Sequence, residues 1–70
     1  MMKMTIGEKM ARLREQAGKT AEELADYMKM NVETYVKMED DFIYPNDNQI
    51  TRLGKFYGMS YQEVLDVGEE

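Results

Sequence analysis

Short polar residues recur in this chain at the places where helices begin. Thr5 is followed three residues on by Glu8, Thr20 by Glu23, Asn46 by Gln49 and Ser60 by Glu63. A side-chain acceptor at the N-cap with Glu or Gln at the third helical position satisfies two orphan backbone donors at once, so each pair marks a helix start. Asn31 adds a fifth N-cap. Apolar residues then return at helical spacing: Ile6, Met10, Leu13 and Ala17; Leu24, Ala25 and Met28; Tyr35 and Met38; Ile50, Leu53, Phe56 and Tyr57; Val64 and Leu65. The spacing predicts helices over 6–17, 21–28 and 32–39. A fourth is led in by Pro45 and ended by Gly58, and a short fifth follows Ser60. Gly18 suits the left-handed position that closes the first helix. No stretch of any length alternates with the two-residue period of a strand. Caps, period and punctuation agree, which predicts an all-α fold, a compact five-helix domain. The second and third helices are joined by Lys29-Met30-Asn31, with the small Ala25 where they cross, and this spacing is that of a helix-turn-helix.

Seventy residues make one domain, 1–70, with residues 1–4 and 68–70 expected to be loose tails. The chain has no cysteine and no histidine. It thus lacks a disulfide framework, a thiol nucleophile, the usual general base and the commonest metal ligand. It also lacks a glycine-rich phosphate loop, so an enzyme, a cofactor and a metal are not expected. No apolar run approaches the roughly 20 residues of a membrane span. The leading MMKM is too short for a signal peptide, and a cytoplasmic location is expected. The eight methionines could fill irregular gaps in the core or line a binding groove; core filling is the expectation.

The same residues resemble those of the phage-repressor and Cro-type proteins, the XRE family of lambda-repressor-like helix-turn-helix domains. The likeness runs from Ile6 to Leu65. It is carried by Gly-Glu-Lys at 7–9, Leu-Arg at 13–14, Gly18, Thr20, Glu-Glu-Leu-Ala at 22–25, Met38-Glu39, Pro45 and Tyr-Gly-Met-Ser at 57–60. No one of these is specific; their joint spacing is. The resemblance implies a five-helix domain in which helices 2 and 3 read double-stranded DNA.

It also implies roles. Arg14, late in helix 1, would pair with Glu39 at the end of helix 3 and fix the angle of the reading helix, because a guanidinium fork binds a carboxylate at two points. Val32, Glu33, Val36 and Lys37 would face the major groove. Lys37 can approach guanine O6 and N7, Glu33 can accept from cytosine N4, and the valines can touch a thymine methyl. A solvated helix face would explain Glu33 and Lys37 equally well, but not two exposed valines. Lys19, Lys29 and Arg52 would meet the phosphate backbone.

The chain also departs from the family pattern. Ala21 stands where a phosphate-binding glutamine is common, and Asp40-Asp41-Phe42 occupies a loop that is often basic. Lys29 stands where the turn usually has glycine. Nine Lys and Arg face fourteen Asp and Glu, a net charge of −5, whereas a DNA-binding domain normally carries a basic footprint. Phe42, Ile43 and Tyr44 form an apolar run in a polar loop. They either tuck under helices 3 and 4 or meet a protein, a second copy included.

The expected function is therefore a sequence-specific DNA-binding transcriptional regulator, repressor-like and a homodimer, with a weak electrostatic grip on its duplex. The alternative is a protein-interaction module, an antirepressor or regulator partner, that keeps the scaffold and has lost its phosphate anchors.

Overall fold

The computed structural model describes residues 3–69. Five helices follow one another: α1 (Ile6–Gln16), α2 (Ala21–Met28), α3 (Val32–Glu39), α4 (Asp47–Tyr57) and α5 (Tyr61–Leu65). Among the described residues there is no strand. Each helix starts where its cap predicts. Thr5, Thr20, Asn31, Asn46 and Ser60 all have extended backbone, and each side chain accepts from the N–H three residues on. Four of the five complete the reciprocal box, Asn31 being the exception, with Thr34 at its third helical position.

Packing follows the apolar stripes. α3 lies between α2 and α1, α4 crosses α2, and α5 closes against α4 and α1. Met10, Leu24, Tyr35, Met38, Ile50, Leu53 and Val64 meet in the centre and are almost fully buried. A buried aliphatic side chain of this size contributes about 1.5–3 kcal/mol. Three methionines, Met10, Met28 and Met38, sit in that core, and Met30 and Met59 pack on its edge. Gly7 lets α1 close on the end of α3: a Cβ there would collide with the carbonyl oxygens of Met38 and Glu39.

Several expectations need correction. Ala17 is exposed. It is the C-cap of α1, and its N–H turns back onto Glu15 and Leu13. The chain then turns at Gly18, φ +69°, so no helix lies opposite Ala17 to bury it. Lys9, in contrast, is buried with 5% exposure. It extends across the end of α5, where its Nζ donates to the Leu65 carbonyl and, at 2.8 Å, to a Glu69 carboxylate oxygen. Within the described residues at the two ends, Glu69 is paired with Lys9, and Met4 lies against Gly68. Met1, Met2 and Glu70, the rest of the expected tails, lie outside the described residues.

Candidate functional site

The site is best built from its fixed point. Arg14, in the last turn of α1, meets Glu39, the last residue of α3. Nε donates to Oε2 at 2.8 Å and Nη2 to Oε1 at 3.1 Å, a two-point fork. Nη1 also donates to the carbonyl of Lys19 at 3.1 Å. One side chain thus joins α1, the end of α3 and the loop leading into α2. The hydrogen bonds it donates to Glu39 hold the guanidinium charged well above its ordinary range.

The hydroxyls of Tyr35 and Tyr57 are buried, and no partner lies at ordinary hydrogen-bond geometry. Both are held protonated, first by burial; at Tyr35 the hydrogen-bonding pull of the Glu39 carboxylate and then its charge follow, and at Tyr57 its charge alone. The Tyr57 hydroxyl is pushed up to about 12, and that of Tyr35 further. Nothing in the sequence marks these hydroxyls as unpaired; the spacing places Tyr35 and Tyr57 on apolar stripes and says nothing of their oxygens.

Above this anchor, α3 turns one face inward and one outward. Tyr35 and Met38 are buried, while Glu33, Val36 and Lys37 are exposed. Val32 is half-buried and packs against the core. Only one of the two valines expected on the outer face is therefore solvent-facing, and Val32 needs no ligand to explain it.

Lys19 and Lys29 are exposed at either end of α2. Lys29 closes α2 in the left-handed region, φ 58° and ψ 45°, where a side chain costs roughly 1–2 kcal/mol. The fold accepts that cost because the next N–H, of Met30, returns to the Ala25 carbonyl and starts the turn into α3. Arg52 is not a third open cation. Its Nε donates to the Tyr27 carbonyl at 3.0 Å and its guanidinium lies over the Tyr27 ring, 5.1 Å from the centroid. It closes the C-terminal end of α2, where exposed carbonyls favour a cation.

The acidic loop divides in the same way. Asp40 is exposed at the end of α3. Asp41 is turned back toward α1 and accepts from the Thr5 hydroxyl at 2.6 Å and from the Gly7 N–H at 3.0 Å. Its backbone is left-handed, φ 65°, a conformation that Asp tolerates better than most residues. The Asp41 carboxylate thus caps a helix 34 residues away in sequence, although the residue, like Asp40, is exposed. Phe42 and Ile43 fold back on α3, their N–H groups donating to the Lys37 carbonyl at 2.8 and 3.3 Å. Ile43 packs against the core. Phe42 and Tyr44 remain 80% and 73% exposed.

Of the residues singled out in the sequence, the structure brings Arg14 and Glu39 together. It leaves Glu33, Val36, Lys37, Lys19 and Lys29 open, and it commits Arg52, Val32 and Ile43 to the fold. Asp41 as a helix cap escaped the sequence, because nothing local marks a carboxylate that serves a distant N-terminus. The buried Lys9 did leave a signal: it falls between Ile6 and Leu13 on the inward side of α1. Among the described residues no cavity opens and no acidic cluster could hold a metal ion. No helix is long and apolar enough to cross a membrane. Set against models of protein families, curated proteins and solved structures, the chain matches none.

Proposed function

We propose that this chain is a DNA-binding regulator of the phage-repressor type, with α2 and α3 as its helix-turn-helix and α3 as the reading helix. One observation carries the reading. The end of α3 is clamped to α1 by the two-point Arg14–Glu39 pair, while its opposite face leaves Glu33, Val36 and Lys37 in solvent. A helix held at a fixed angle with a mixed polar and apolar outer face suits the major groove. Lys37 would address guanine or a phosphate, Glu33 cytosine N4, and Val36 a thymine methyl. Lys19 and Lys29, at the two ends of α2, would meet the backbone. Asp41 is turned toward α1 yet exposed, so both carboxylates of the loop oppose a phosphodiester and keep the electrostatic grip weak. A two-fold pair of such domains would set two copies of α3 about 34–36 Å apart, one turn of duplex.

Binding to mixed-sequence duplex as salt is varied tests this. With Lys19, Lys29 and Lys37 as the cations in play, log K should fall against log salt with a slope no steeper than about −3, at roughly −0.9 per phosphate neutralised. Lys37→Ala should weaken binding and shallow the slope. Absence of binding at low salt would sink the proposal.

A second reading, the protein-interaction module, is favoured by Phe42 and Tyr44, which are the most exposed large apolar side chains described. Val32, packed against the core, adds nothing to such a contact, and the contact surface would be the loop between α3 and α4 rather than the face of α3.

A further inference from the structure

We infer that the loop between α3 and α4 is a docking surface for a basic, apolar segment of another protein, held by Phe42 and Tyr44 between Asp40 and Asp47. This rests on the second reading above and names the chemistry of its partner.

Both aromatic side chains are exposed although their loop is fixed. Phe42 and Ile43 are hydrogen-bonded to the end of α3, Ile43 is anchored in the core, Pro45 is buried, and Asp41 ties the loop to α1. A rigid loop that offers two aromatics to water retains little entropy to lose on binding, and such side chains dominate contact energies.

Charge selects the occupant. From Met38 to Thr51 the chain has four carboxylates, Glu39, Asp40, Asp41 and Asp47, and no Lys or Arg. Glu39 is neutralised by Arg14, and Asp41 is engaged with α1. Asp40 is exposed, and Asp47 has one oxygen occupied by the Tyr61 hydroxyl at 2.9 Å. Two exposed aromatics are therefore flanked along the chain by the exposed Asp40, Asp41 and Asp47, with Lys37, in the last turn of α3, the nearest cation in sequence. A phosphodiester is repelled there. A second copy would bring the same carboxylates face to face, on chains that each carry −5, and like charges juxtaposed across an interface are costly. Two side chains a side also fall well short of the roughly 800 Å² per partner of a standard interface. A short segment with Lys or Arg between apolar residues matches both features, and its cations can also stack on the rings.

The test uses the full chain, isotope-labelled for NMR, and three probes: a peptide alternating Arg and Leu, the same peptide with Glu for Arg, and a mixed duplex. The Arg/Leu peptide should shift amides across 40–47 and weaken with salt. The exposed-site variant Phe42→Ser/Tyr44→Ser, with unchanged thermal stability, should lose about tenfold or more of that affinity, the scale of losing two aromatic anchors. Equal binding of the Glu peptide would leave an interaction surface but overturn the assignment of a basic partner. No shift at 40–47 with either peptide would overturn the docking surface itself. Concentration-dependent shifts there without peptide would assign the patch to a second copy, and shifts there with duplex would assign it to DNA; either result overturns the inference. Duplex binding through α3 is read separately at 33–37, so its loss leaves this outcome untouched.

Discussion

Tyr35 and Tyr57 carry their hydroxyls into the interior and leave them unpaired. A buried hydroxyl without a partner costs about 1–3 kcal/mol, so Tyr35→Phe and Tyr57→Phe should be neutral or stabilising by about 1 kcal/mol in urea denaturation. A loss larger than that would reveal a hydrogen bond the geometry does not contain. The same groups set an alkaline limit. Both tyrosines have folded values above the ordinary 10, so over this range the folded chain holds protons the unfolded chain has released. Stability is full below pH 10 and falls as pH rises toward about 12 for Tyr57 and beyond for Tyr35. The double Phe variant should flatten that fall. Beside them, Arg14→Ala or Glu39→Ala alone should cost about 1–3 kcal/mol, because each leaves the other charge half-buried. The double variant should cost less than the two together, a coupling that a double-mutant cycle measures. This pair was legible only through the resemblance, since 25 residues separate its members and no local pattern links them.

At the scale of elements, all five helix starts were legible from the sequence, and the reason is that capping is local: acceptor, donor and carboxylate lie within three residues. The ends were less so. Ala17 kept the helical spacing but had nothing opposite it. The loop after α3 was read by its charge, while its conformation is set by α1. The Thr5 hydroxyl and the Gly7 N–H draw Asp41 inward, and Gly7 allows α1 to come that close. That junction predicts a specific pattern. Asp41→Ala should lose about 1 kcal/mol or more, combining a lost cap with the strain of alanine at positive φ. Asp41→Asn should lose less, because Asn can still accept from Gly7 and tolerates the left-handed region. Gly7→Ala should lose about 1–3 kcal/mol, since backbone carbonyls rather than a flexible side chain must move. Thermal denaturation of the three variants decides this. Equal effects of Asp41→Ala and Asp41→Asn would mean that the carboxylate charge, lost in both, sets the cost rather than the accepting oxygen or the backbone.

For the whole molecule, the proposed DNA binding asks a chain of net charge −5 to hold a polyanion. The net charge was read from composition, and its distribution could not be, because three of the groups that matter change roles on folding. Arg52 is engaged with Tyr27, Asp41 is turned toward α1, and Lys9 is buried. On the DNA-binding reading the cations against phosphate are Lys19, Lys29 and Lys37, opposed by Asp40 and the still exposed Asp41. A variant meant to strengthen binding must therefore leave Asp41 in place, since replacing it would loosen α1. The informative change is Asp40→Lys with Ala21→Gln, two partly or fully exposed positions at the end of α3 and the start of α2. On the DNA-binding reading, this variant should bind duplex of any sequence more tightly. Its salt slope should steepen by about −0.9 for the one added phosphate contact. The gain should be largest at low salt and indifferent to base sequence, because backbone contacts position without reading. Adding Lys37→Ala to it should then change the base preference at the position Lys37 reads, leaving those of Glu33 and Val36, while keeping most of the added affinity. Tight binding by Asp40→Lys/Ala21→Gln where the original chain has none would show a scaffold competent for DNA whose outer face serves another ligand. The loop at Phe42 and Tyr44 would then be the place where this protein meets its partner.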